Sequence, residues 1–484
     1  MTSARAATEG RTSRSERPAG RGEGRAKAAT IVLALPILLA TASCADPTAE
    51  IARRILDQHR TSSRVKPLPA AQVVRLRLDS PDGLASGEAE IAWKGTDFRE
   101  SVSSAGLTRI RGIQGEKSYY TDEDGVTRVG SEPILRELVT RFYFWKRGYL
   151  FEDLQNARAR PGPADDATVS VELLPRGGNL LLLRFARSDY RLLAVRSPRF
   201  RLDFESRDSF RDSSRPGETV AANVLSITLP TGRLPDAEVG PWSSRFARPT
   251  AEALLGGAPE DVVLPASIGG TPVKLRLDAG RSGPVLLSPD TASKTGATFQ
   301  RDVFGHDLAG RVPLVIDALS YPGVSVERSA SPIPGADAVA GGTLFRETIV
   351  ELDPASARVR FHDPAVWPIP EGYARALIDD DGNVPRAILG RNSERIRVVA
   401  GAAPGSGLLL APASAKRLGL EPTATSVAGL GWGPLNLAPV PLGQASGERS
   451  VDWGDDGDLG VGILLRYHVF LDMHHRWIYL KPRG

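Results

Sequence analysis

The chain has 484 residues, 41% apolar and 24% charged, which excludes wholesale disorder and leaves room for two or three domains. Its single Cys excludes a disulfide framework and a thiolate metal cluster, and six His, scattered except for one adjacent pair, argue against a multi-His metal site. The net charge of +4 lies entirely in residues 1–43, seven basic groups against three acidic, so the neutral remainder offers no footprint for nucleic acid.

That basic start runs into the apolar stretch Ile31–Ala40, the small residues Thr41–Ser43, and then Cys44. A positive segment, a short apolar core and a small-residue site read as a secretory signal over 1–43, and the core is too short to span a bilayer comfortably. With the Cys at the expected cut, the segment resembles a bacterial lipoprotein signal. Thr41 stands where that motif usually has Leu. The resemblance implies that Cys44 is acylated and that the exported chain is anchored on a cell-envelope membrane, the outer rather than the inner. The alternative is an ordinary signal peptide with an incidental thiol.

Residues 44–70 read as a tether leading into a helix over Glu50–His59, where apolar residues recur at helical spacing. From 71 to 248 the pattern is that of strands. Val73–Leu78, Ala85–Trp93 and Val169–Leu174 alternate, Ser118–Gly125 enters an Asp-Gly turn, and a helix is expected over Glu132–Arg141. The order of strands and turns, closed by Val220–Leu229, resembles the curved half-barrel of LolA-like lipoprotein carriers. That resemblance implies a lipid- or lipoprotein-binding role for this half; an unrelated β scaffold is the other reading.

Residues 249–260 read as a linker, and beyond them the chain repeats itself. Val285–Gly296 matches Leu408–Gly419 without a gap at an offset of 123. Gly342–Arg346 with Ile349–Asp353 matches Gly462–Arg466 with Val469–Asp472, and each copy ends in a strand, Arg358–Phe361 or Trp477–Leu480. The expected architecture is mainly β: a half-barrel-like N-terminal sheet, then two duplicated lobes over 261–363 and 386–484 joined by a linker at 364–385.

The first lobe opens with a hairpin turning at Gly269-Gly270, followed by an apolar strand that delivers Asp278-Ala279-Gly280-Arg281-Ser282. This order, with the later Gly342 and Gly462 elements, resembles the retropepsin-like and pepsin-like aspartic peptidases over roughly residues 261–484. The resemblance implies a bilobal fold in which each lobe supplies one carboxylate, the two sharing a proton so that one acts as acid and the other activates water. Asp278 is the candidate first carboxylate, with Gly280 permitting the tight loop and Ser282 placed to bond its outer oxygen. Ala279 replaces the family's Thr, and a guanidinium at Arg281 would favour ionised Asp278. The ungapped repeat puts Gly401 at the second acid's position; one gap puts Ala400 there. Neither titrates, and Glu394 should point elsewhere.

Other clusters carry less. Asp452–Asp458 holds four acids without EF-hand spacing and reads as a solvated loop, Asp379–Asn383 reads as a turn, and His474-His475 lies in the last hairpin, where adjacent side chains on a strand face opposite ways and cannot chelate together. No cofactor and no metal are expected. The reading is therefore an envelope lipoprotein with a degenerate acid-protease-like module whose interlobe cleft binds a peptide or protein segment. The alternatives are an active endopeptidase using Asp278, and lipid binding by the N-terminal half. Nothing in the residues sets an oligomeric state.

Overall fold

The computed structural model describes residues 47–483, except 123, 152–156, 207, 215–218, 232–233, 236, 238–242, 257–260, 381–383, 403–404, 406 and 445–454. Cys44 and residues 1–43, read above as a signal, lie outside the described residues. The protein is mainly β, and no helix among the described residues is long and apolar enough to cross a membrane.

The N-terminal half is a sheet of thirteen strands made of two meanders. Its first strand, Ala71–Asp79, pairs antiparallel with the last, Val220–Thr228, which joins the meanders into one curved surface. Helix Pro47–Ser62 lays Ala52, Leu56 and His59, all buried, against this sheet. The spacing of four and then three residues is what one buried helix face requires. Helix Glu132–Trp145 starts at a Pro in its first turn and buries Leu138, Tyr143 and Phe144. Phe144 and Trp145 pack on Phe200, and Trp145 also packs on Phe210, so an aromatic cluster joins this helix to the sheet.

The C-terminal half repeats one strand order twice. In the first lobe, neighbours run Leu319–Arg328, Val285–Leu287, Ala338–Ala340, Thr271–Leu277, Val263–Ile268. In the second they run Val440–Gln444, Leu408–Leu410, Gly457–Gly460, Glu394–Ala402, Pro385–Arg391. Corresponding pairs are parallel in both, Thr271–Leu277 with Ala338–Ala340 and Glu394–Ala402 with Gly457–Gly460. The short helices Pro289–Lys294 and Pro412–Arg417 keep the 123-residue offset.

Six antiparallel strands join the lobes, in the order Thr250–Leu254, Arg358–His362, Ile349–Asp353, Tyr467–Asp472, Trp477–Pro482, Ala374–Asp380. At its centre Val350 pairs with Leu471, Glu351 with Phe470 and Leu352 with Val469. The register is symmetric about Glu351 and Phe470, as a two-fold relation between copies demands. Here two expectations are corrected. Residues 249–260 and 364–385, read as linkers, contain the two outer strands of this sheet, Thr250–Leu254 and Ala374–Asp380. Each finds its partner strand about a hundred residues downstream, beyond the reach of local pattern.

Among the described residues the halves are locked at two places. The turn after Gln300–Arg301 inserts Val303, fully buried, into the N-terminal apolar cluster, and its N–H donates to Ser104 Oγ at 2.9 Å. Burying one Val contributes about 1.5–3 kcal/mol. At the second place, Arg128 reaches Asp122 and, across the interface, Glu347 at 2.5 Å, while Arg346 reaches back to Asp122 at 2.8 Å.

Candidate functional site

Asp278 follows the Thr271–Leu277 strand directly. Its N–H donates to Ala340 O at 2.9 Å, and its carbonyl accepts from Arg281 N–H at 3.1 Å. Its Oδ1 accepts the Gly280 N–H at 2.9 Å, so the loop closes around a half-buried carboxylate. Behind it, a Cβ on Gly341 would lie well inside 3.0 Å of the carbonyl oxygens of Asp278 and Arg281. Only glycine permits that approach. Ser282 is exposed, and the bond that closes the loop on the carboxylate comes from Gly280.

Arg281 is held within its own lobe by two bonds. Its Nη2 bonds Glu327 Oε2 at 2.6 Å and its Nε bonds Pro284 O at 3.0 Å, which ties the guanidinium to the lobe wall. Glu327 is bridged in turn to His306 Nδ1 at 2.8 Å. Burial pushes the Glu327 carboxyl up, but His306 and Arg281 outweigh it and hold the group below the usual range.

The register of the second lobe chooses between the two candidate positions. Leu277 pairs with Ala340 as Ala400 pairs with Leu459, so Ala400 matches Leu277 and Gly401 matches Asp278. Ala400 is fully buried in the core. Gly401 has a φ of +76°, where an L side chain is strained, and a Cβ there would lie 3.4 Å from the Ala279 Cβ. The two loops therefore meet, with a methyl on one side and a glycine on the other. Glu394 is exposed at the far hairpin end, paired with Arg391.

The acidic run is corrected from Asp455 onward. Asp455 is buried and accepts from Arg386 Nε at 2.8 Å and Arg397 Nη1 at 3.2 Å. Asp456 accepts from Ser414 Oγ at 2.5 Å and Arg417 Nη2 at 2.6 Å. Asp458 lies within the Gly457–Gly460 strand opposite Val399, while Val398, Ala400 and Leu459 pack fully buried in the core. Burial, then the charges of Asp455 and Asp278, raise its carboxyl above the usual Asp range against the pull of Arg386. Sequence reasoning missed this group because it read Asp458 as part of a solvated loop and sought the second acid at the position equivalent to Asp278 and at the preceding Glu394.

Two His features complete the second lobe and the central sheet. His474 and His475 lie in the turn between Tyr467–Asp472 and Trp477–Pro482, not on a strand, and their rings sit 4.7 Å apart. At the centre of the six-stranded sheet, Glu351, Asp353 and His468 bring ligating atoms within 4.8 Å of one another. Arg360 Nη1 already stands 2.6 Å from Glu351 Oε1, and His362 and His468 bond its two oxygens at 2.7 and 2.8 Å. Glu351, Arg360 and His362 from one lobe and His468 from the other thus form a polar cluster that ties the lobes together.

No family model matches this sequence, and no curated protein matches it. Similar solved structures include a retropepsin-like aspartic protease from Rickettsia conorii, 14% identical over 26% of this chain and 97% of its own, with a TM-score of 0.20. A domain named for outer membrane lipoprotein sorting, from Vibrio parahaemolyticus, is 11% identical over 38% of this chain and 95% of its own, with a TM-score of 0.26. An aspartic proteinase from Irpex lacteus is 12% identical over 49% of this chain and 98% of its own, with a TM-score of 0.33.

Proposed function

We propose that this chain is an exported envelope lipoprotein whose C-terminal module holds an extended peptide or protein segment at the seam between its lobes without cutting it. The observation that carries the reading is Gly401 at the position equivalent to Asp278, on backbone where a side chain is strained. Hydrolysis by paired carboxyls needs a base to activate water and an acid to protonate the carbonyl oxygen. The standard pair of loops supplies only one such group here.

A second reading is favoured by Asp458, whose proton affinity rises with the charge of Asp278. In that reading the second acid has moved to the neighbouring strand and the module is an aspartic endopeptidase. One experiment separates the two. The whole protein is incubated with unfolded casein between about pH 3 and 6, where carboxyl pairs titrate, and pepstatin affinity is followed over the same range and up to neutral pH. The binding reading expects no pepstatin-sensitive cleavage in that range, since Gly401 leaves Asp278 without a second carboxyl on the paired loop, while pepstatin should still bind as an extended peptide analogue. Asp278→Asn should leave that affinity and the fold nearly intact. Robust cleavage, abolished by either Asp278→Asn or Asp458→Asn, would replace the binder with the enzyme.

The anchor is tested separately. Labelled palmitate is expected in the wild-type protein made in a bacterial host and absent from Cys44→Ser. Label that persists in that variant would remove the lipoprotein reading and leave the seam untouched.

A further inference from the structure

A continuous series of contacts runs from the N-terminal sheet to the acid loop. Arg301 Nη2 bonds Asp82 Oδ2 at 2.8 Å, and Val303 is sunk in the N-terminal cluster with its N–H on Ser104 Oγ. Asp302, itself buried, accepts from the N–H groups of Phe304 and His306 through Oδ1, both at 2.9 Å, which gives the turn one shape. His306 then bonds one oxygen of Glu327, and Arg281 bonds the other. Arg281 closes the series on the loop itself, its N–H on Asp278 O and its carbonyl accepting Gly342 N–H at 2.8 Å.

We propose that the N-terminal sheet positions the acid loop of the first lobe through this turn, with His306 and Glu327 as positioning residues for Asp278. The proposal concerns regulation of the same seam and rests on the peptide-binding reading for its purpose, though not for its test. Charge and shape fit a positioning role. Glu327 is a largely buried carboxylate with a separate cationic or hydrogen-bonding partner on each oxygen, so it fixes the distance between turn and loop. The turn in turn cannot shift without drawing Val303 out of an apolar cluster that belongs to the other half of the chain. The second lobe holds its matching segment without any such support from the N-terminal sheet among the described residues, so the arrangement acts on one side of the seam only.

The test is hydrogen–deuterium exchange on the whole protein, read by mass spectrometry over residues 277–283 and, as the internal control, over 408–414. In both Glu327→Gln and Val303→Ser, exchange at 277–283 is expected to speed up by about tenfold or more, the scale of a lost charge-assisted hydrogen bond. The control segment should keep its wild-type rate, and Val303→Ile should restore protection of the loop. Glu327→Gln keeps the side chain's shape, so it decides the matter if Val303→Ser does not fold. Unchanged protection at 277–283 in folded Glu327→Gln would overturn the proposal, as would equal loss in both segments, which marks general destabilisation. A wild-type protein that binds no pepstatin at any pH would refute the peptide-binding reading and leave the exchange result standing.

Discussion

Arg128→Met is expected to remove about 3–5 kcal/mol of stability, the usual cost of leaving a buried charge without its partner. The Arg128 side chain is 6% exposed, and those of Asp122 and Glu347 are 0% exposed. Without the guanidinium, Asp122 keeps Arg346, but among the described residues Glu347 keeps the Ser243 hydroxyl and the Ser244 N–H. Two dipoles do not replace a cation in a site that water does not reach. Guanidinium chloride unfolding of the wild type, Arg128→Met and the double variant Arg128→Met/Glu347→Gln would measure this. The double variant should recover a substantial part of the loss, since the orphaned charge is gone. A single-variant loss below about 1 kcal/mol, the value of an exposed ion pair, would mean that water enters this interface.

Gly341→Ala is expected to cost about 3 kcal/mol or more, at the upper end of overpacking, because the atoms it strikes are backbone. The carbonyls of Asp278 and Arg281 are pinned by bonds that run back to the same strand end, Asp278 N–H to Ala340 O and Gly342 N–H to Arg281 O. The loop therefore cannot retreat without breaking the bracket that shapes it. Pepstatin binding should fall with stability in this variant. Gly460 is its counterpart in the second lobe, where a Cβ would press on Gly405 O. Gly460→Ala should be destabilising to a similar degree, measured for both variants by the same guanidinium chloride unfolding. A Gly341→Ala protein with wild-type stability and binding would show that the loop has room it does not have here.

Much of this architecture was legible in the residues, for a physical reason. The gapless match of Val285–Gly296 with Leu408–Gly419 marks two copies that bury the same face, and one helix face at Ala52, Leu56 and His59 reads directly from spacing. What stayed illegible depends on distant partners. Thr250–Leu254 buries only Ala251 and Ala253, so it reads as linker until Arg358–His362 arrives beside it. Asp302-Val303-Phe304-Gly305 carries a turn signature, but nothing local says which core the Val enters. Asp455 and Asp456 read as solvated acids because Arg386, Arg397 and Arg417 lie up to 69 residues away. The choice between Ala400 and Gly401 needed strand register, which a bulge between Ala400 and Ala402 hides from any alignment.

The joining of the first and last strands of the N-terminal sheet has a consequence for how the protein is made. Ala71–Asp79 pairs on one side with the adjacent hairpin strand but on the other with Val220–Thr228. At about 5–20 residues per second, the partner leaves the ribosome roughly 7–30 s after the strand that awaits it. The central six-stranded sheet repeats the delay, since Ile349–Asp353 awaits Tyr467–Asp472. Long-range pairings of this kind form slowly, and an unpaired strand edge is a template for the wrong neighbour. The nascent chain is thus expected to depend on holding factors throughout synthesis and to reach its native state only after its last strand is released.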